Sequence, residues 1–212
     1  MLSRRCMSKF VGSNSEAYSD IGNITSIFQP PDICSRKELS EMKRILIIGN
    51  SGSGKSWLAA RLAKRLTIRE VNLDTIVWQP GGFNQKRPQH EIDHAIQTLA
   101  QEPSWVVEGV FGALAEQLLD AADTLLFLDL DWSVCRDSLL SRGSQSARQR
   151  DAVAAEENFQ QLLVWASEYG QRASKSSRQF HRELFDRFPN DKHSFTTRAE
   201  VNRYLTQLTT HS

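Results

Sequence analysis

The chain has 212 residues, enough for one α/β domain with a large core and too few for two such domains plus linkers. Lys and Arg total 26 against 25 Asp and Glu, so a formal charge of +1 excludes a global field that would draw the protein to nucleic acid or an anionic membrane. No apolar stretch reaches the about 18 to 20 residues of a membrane span, and Cys6, Cys34 and Cys135 are too scattered for a zinc site or a disulfide framework, so the expected compartment is a reducing cytoplasm.

Residues 1 to 41 are rich in turn formers, among them Gly12, Gly22 and the pair Pro30-Pro31, and carry no sustained helical or strand period. They read as a loosely ordered N-terminal extension to a domain spanning 42 to 212, with Met42 as an alternative start. The first residues are basic like an organelle transit peptide, but Glu16 and Asp20 argue against that reading.

The run KRILIIGNSGSGKS at 43 to 56 then states the chemistry. A β-branched apolar strand over 44 to 48 leads into Gly49-x-x-x-x-Gly54-Lys55-Ser56, and Leu58, Leu62 and Leu66 follow at helical spacing over 55 to 66. This is a phosphate loop in its required strand-to-helix setting. Its backbone N–H groups, from Gly49, Asn50, Ser51, Gly52, Ser53 and Gly54 through Lys55 and Ser56, are suited to a nucleoside triphosphate. Lys55 would reach the terminal phosphates and the Ser56 hydroxyl would ligate Mg²⁺, so ATP and Mg²⁺ are the expected cofactors.

Strand and helix patterns alternate from there: a strand near 68 to 73, a helix near 90 to 101, a strand over 104 to 108, a helix over 112 to 121, a strand over 124 to 129 and a helix near 132 to 142. The alternation predicts an α/β fold with a parallel sheet and helices on both faces, in three layers. The loop Gln79 to Pro88, with Gly81-Gly82 and Lys86-Arg87, reads as an acceptor-side lid or a solvated connection, and the polar, basic stretch 143 to 150 reads as a mobile loop. Apolar residues at helical spacing over 152 to 169 and 176 to 188 read as core faces, and a last strand near 193 to 195 precedes a helix opened by the capping box Thr197-x-x-Glu200. No Asn-Lys-x-Asp tetrapeptide reads a guanine base, and the chain is short for a motor ATPase, which leaves a small-molecule kinase as the economical reading.

The run RILIIGNSGSGKSWLAARLAKRL, Leu73-Asp74 with Trp78 behind it, WVVEG at 105 to 109, LLFLDLD at 125 to 131 with Arg136 and Arg142 after it, and Arg198-x-Glu200-Val-Asn202 resemble the adenylate-kinase-related P-loop proteins. Within that group the chain is most similar to the bacterial DNA topology modulation (flagellar regulator) type, over roughly 43 to 208. Trp57 departs from the pattern, standing where a small residue is commoner. The resemblance implies a five-stranded parallel sheet of nucleoside- and nucleotide-kinase topology with a mobile lid. The resemblance constrains the fold more than the acceptor; together with the site residues, the expected activity is phosphoryl transfer to a small hydroxyl- or phosphate-bearing metabolite, a nucleoside or nucleotide above others. The alternative is a nucleotide-gated regulatory or DNA-associated protein without a diffusible acceptor, which the neutral net charge does not favour.

Against that family the remaining site residues take roles. Asp129, ending its strand, is expected to organise Mg²⁺ with Ser56, the competing reading being a helix cap; Asp131 fits a cap better. Asp74 and Glu108, at two other strand ends, are expected to orient the acceptor or meet the metal, against structural turn and cap roles. Trp78 reads equally as a stacking platform or a core residue. Arg142 matches a lid arginine that screens transition-state charge, with Arg148 beside it, and Arg136 and Arg150 fit a surface face as well.

Overall fold

The computed structural model describes residues 42–80, 85–144 and 152–208, which lie within one compact unit, 37–212. The segments 1–41, 81–84, 145–151 and 209–212 are outside the described residues, and with them the N-terminal extension, Gly81-Gly82 of the 79–88 loop, Arg148 and Arg150.

Five parallel strands form one sheet in the order β2-β3-β1-β4-β5: β1 Arg44–Gly49, β2 Glu70–Asn72, β3 Trp105–Gly109, β4 Thr124–Leu128 and β5 Asp191–Phe195. The three central strands are buried along almost their whole length, as their continuous apolar sequences require of a sheet covered on both faces. Alternate residues divide between the faces. Leu46, Ile48, Val107, Leu125 and Phe127 pack under α2 (Leu73–Val77), α3 (Gln89–Gln101), α4 (Gly112–Leu118) and α7 (Arg178–Arg187). Ile45, Ile47, Val106, Leu126 and Leu128 pack under α1 (Lys55–Leu66), α5 (Trp132–Arg142) and α8 (Arg198–Gln207). The long α6 (Ala152–Ser167) lies on α5, where Phe159 and Ala166 meet Leu139. The architecture is therefore a three-layer α/β P-loop fold of nucleotide-kinase type with its phosphate loop leaving the central strand.

Register places the chemistry. Glu108 pairs with Ile47 on one side and Asn72 on the other, and Gly49 pairs with Leu128. The residues that follow β1, β2, β3 and β4 thus emerge together at the carboxyl edge of the sheet, where open α/β folds bind ligands.

The strand expected near 68 to 73 is confined to 70–72 because Asn72 begins a helix instead, its Oδ1 accepting from Asp74 N at 2.7 Å. Asp131 caps α5 by accepting from Ser133 N at 2.8 Å. The capping box at Thr197 and Glu200 forms as its spacing predicts. No helix among the described residues is long and apolar enough to cross a membrane.

Candidate active site

The phosphate loop is held open by what glycine alone permits. Gly52 has φ +81°, and a Cβ there would sit 2.3 Å from the Cys135 carbonyl oxygen, so α5 and the loop approach as closely as backbones can. Gly54 enters α1 in the left-handed region and supplies no side-chain cap, and no acidic residue stands in the first turn, which leaves the helix's leading N–H groups for an anion.

Lys55 is only 7% exposed, and its ammonium donates to the Asn50 carbonyl at 2.7 Å across the mouth of the loop. Burial pulls its pKa below the usual lysine value, while the negative charges of Glu108 and Asp74 oppose that shift. The Ser53 hydroxyl is buried with no hydrogen-bond partner. A buried cation, an orphaned hydroxyl and uncapped N–H groups fit a polyphosphate, and the donor set of Ser56 and Glu108 fits Mg²⁺. Ser56 Oγ donates to Glu108 Oε1 at 2.7 Å, so the hydroxyl and the carboxylate already share one locus.

Asp74 stands beside them. Burial raises its carboxyl pKa first and the Glu108 charge adds to that, with Lys55 and Arg142 pulling the other way. Lys55, Ser56, Asp74, Glu108 and Arg142 all line one cleft of about 750 Å³ over the sheet edge. Arg142 comes from the last turn of α5, and Gly143 follows it with φ +67°.

Asp129 is placed otherwise than its metal role expects. It is not among the residues lining the cleft, and its two oxygens are engaged by Arg178, through Nε at 2.6 Å and Nη2 at 3.0 Å, and by Arg182. Glu108, not Asp129, is the carboxylate that meets Ser56. Asn50 also departs from a simple phosphate contact. Its side chain is buried, with Nδ2 donating to Ala166 O of α6 at 2.9 Å and Oδ1 accepting from Ser51 N at 2.8 Å. Arg136 pairs with its neighbour Asp137 on the surface.

Sequence reasoning missed the roof of the cleft. Phe159 and Leu162, read as core face, line it together with Asn158, Gln161 and Trp165 of the same helix. Trp57 lines it as well, 41% exposed with the Arg61 guanidinium over its ring, and the first turn of α1 stays regular beneath it, Leu58 N reaching Gly54 O at 3.0 Å. Arg178 and Arg182, four residues apart on α7, carried the signal of a paired cationic face, but nothing in the sequence said which carboxylate it meets.

No known protein family matches the chain by sequence profile. It is 28% identical to the uncharacterized protein YqaC of Bacillus subtilis (strain 168) over 131 residues, 60% of this chain and 72% of that protein. Among solved structures it is similar to a shikimate kinase from Acinetobacter baumannii in complex with shikimate, at 14% identity and TM-score 0.47 over 80% of this chain and 94% of that one. It is also similar to a gluconokinase from Sinorhizobium meliloti 1021, at 15% identity and TM-score 0.43 over 81% and 95%. A third is the YorR protein of Bacillus subtilis in complex with phosphorylated GDP, at 17% identity and TM-score 0.43 over 79% and 98%. The fold rests on the strand order and the phosphate loop themselves.

Proposed function

We propose that the protein is an ATP- and Mg²⁺-dependent phosphotransferase acting on a small hydroxyl-bearing metabolite in the cytoplasm. The observation that supports this is the convergence of Lys55, Ser56, Asp74, Glu108 and Arg142 on one cleft that continues well past the phosphate loop. A nucleotide-gated regulator needs the loop but not the further space, and the acid at its floor would have no partner there.

In this reading Lys55 and the loop N–H groups bind the β and γ phosphates, and Ser56 with Glu108 would hold Mg²⁺, which when bound neutralises phosphate charge. Asp74, whose raised pKa suits a proton acceptor, orients the acceptor hydroxyl and takes its proton. Arg142 faces the charge that spreads over the transferring oxygens. Asp129, with both oxygens engaged by its two arginines, holds α7 against the end of β4. Arg148 belongs to the same proposal as a second lid cation, as do residues 42–212 as the kinase-like domain, 1–41 as its extension, and kinship with the DNA topology modulation type.

The test is ADP release by the purified chain across nucleosides, nucleotides, sugars and small acids, with Lys55→Ala as the blank. Acceptor-stimulated release that disappears in the blank is expected. Release that no acceptor stimulates would leave only a nucleotide-binding protein, and salt-dependent DNA binding would then favour the regulatory alternative.

A further inference from the structure

Beyond the phosphate loop the cleft is acidic at its floor and apolar on its walls. Asp74 and Glu108 lie at the strand ends, and Trp78, Phe111, Phe159, Leu162 and Trp165 surround the space above them. Among the described residues lining it, the cations are Lys55 and Arg142. Both stand where a triphosphate's own charge would claim them.

Other described cations nearby are engaged elsewhere. Lys86 donates to Gln89 at 3.1 Å, and Arg87 faces Glu91 at 3.9 Å. Arg172 lies over the Trp165 ring and donates to the carbonyl oxygens of Ser176, at 2.9 Å, and Trp165. Arg178 and Arg182 are engaged by Asp129. With Glu108 given to Mg²⁺, a phosphate or carboxylate on the acceptor would therefore meet the Asp74 carboxylate with no further cation among the described lining residues to offset it. A flat, uncharged group would instead find aromatic faces, and Gln161 offers an amide for its polar edge.

From this geometry, and resting on the phosphotransferase reading above, we infer that the acceptor is an uncharged hydroxyl compound with a flat ring system, of the nucleoside class, and that nucleoside monophosphates are excluded. The acceptor hydroxyl gives its proton to the Asp74 carboxylate, its oxygen bonds to the γ-phosphorus, and the bond from that phosphorus to the β–γ bridging oxygen breaks with its electron pair. ADP leaves, and Asp74 returns the proton to water.

The experiment compares each of the four common ribonucleosides with its own 5′-monophosphate, titrated into the full chain loaded with Mg²⁺ and a non-hydrolysable ATP analogue, by calorimetry. At least one nucleoside is expected to bind about tenfold or more tighter than its monophosphate. Asp74→Asn, isosteric and one charge less acidic, is expected to narrow that gap at least about threefold by admitting the phosphate. Equal or tighter binding of the monophosphates, as arginines from 145–151 closing on an acceptor phosphate would give, overturns the inference, and so does failure of every nucleoside to bind. ADP release measured on the same samples decides the phosphotransferase reading separately. Nucleosides that bind selectively yet stimulate no release would leave the charge selectivity standing and sink the chemistry.

Discussion

Arg178 grips Asp129 end on, Nε to Oδ1 at 2.6 Å and Nη2 to Oδ2 at 3.0 Å, and these hydrogen bonds, with the negative charge of the carboxylate, hold the arginine's pKa above its usual value. The Asp129 side chain is 1% exposed, while those of Arg178 and Arg182 are about half exposed. The two sides of the cluster therefore have different alternatives on mutation. Asp129→Asn frees two arginines that water can reach, and should cost about 1 to 2 kcal/mol in urea unfolding. Arg178→Ala with Arg182→Ala strands a buried carboxylate, and should cost about 3 to 5 kcal/mol. Equal losses would mean that burial does not set the balance.

Glu108→Gln keeps an oxygen for the Ser56 hydroxyl and removes the charge. Turnover should fall by roughly a hundredfold or more while stability stays within about 1 kcal/mol of wild type. Because the Glu108 charge also raises the Asp74 pKa, Asp74 should titrate at lower pH in this variant, which carboxyl-resolved NMR can follow.

Lys55→Met should abolish ATP binding and raise the melting temperature together. Burial makes the folded protein a poor host for the ammonium, so an apolar side chain of similar length removes a desolvation cost along with the phosphate contact. A variant that loses both stability and binding would show that Lys55 is net stabilising through its Asn50 contact.

Gly52→Ala should lose nucleotide affinity and about 1 to 3 kcal/mol of stability, since both φ +81° and the Cys135 carbonyl oppose a Cβ. Wild-type affinity in that variant would contradict the close approach of loop and helix.

His181 supplies the pH dependence. It is fully buried, its Nε2 donates to the Val110 carbonyl at 3.1 Å, and its Nδ1 therefore accepts from the Tyr169 hydroxyl at 2.6 Å. Burial pulls its pKa down to about 3, below the roughly 6.5 of an unfolded histidine. The unfolded chain takes the proton first, so this contribution is intact above about pH 6.5 and is lost as pH falls towards 3, by up to about 1.4 kcal/mol per unit. Urea unfolding at pH 7 and 5 measures the slope, and Tyr169→Phe should cost a further about 1 to 3 kcal/mol at either pH by leaving Nδ1 unpaired.

The layers of this fold were readable because a buried parallel strand and an amphipathic helix each leave a period in the sequence, and residues 44 to 142 carry both. Strand order left no such trace: that β3 lies between β1 and β2 depends on long-range pairing such as Glu108 with Asn72. The site divided along the same line. Lys55 and Ser56 were legible because a phosphate loop is local, and Asp74 and Glu108 because strand ends share an edge. Asp129 had the same local credentials, but its partners lie 49 and 53 residues further on. Phe159 and Leu162 show the limit of periodicity, which says that a helix face is apolar and not whether it covers a core or a cleft.

Asn50 binds two parts of the molecule at once. Its carbonyl accepts from the Lys55 ammonium, and its side-chain amide reaches the last turns of α6, whose other residues roof the cleft. A phosphate that draws Lys55 away takes a cation off the same residue that anchors the roof. Displacing Lys55 would alter the contacts of the residue that anchors the roof, so donor and acceptor are expected to bind with mutual dependence, each changing the other's affinity by the same factor.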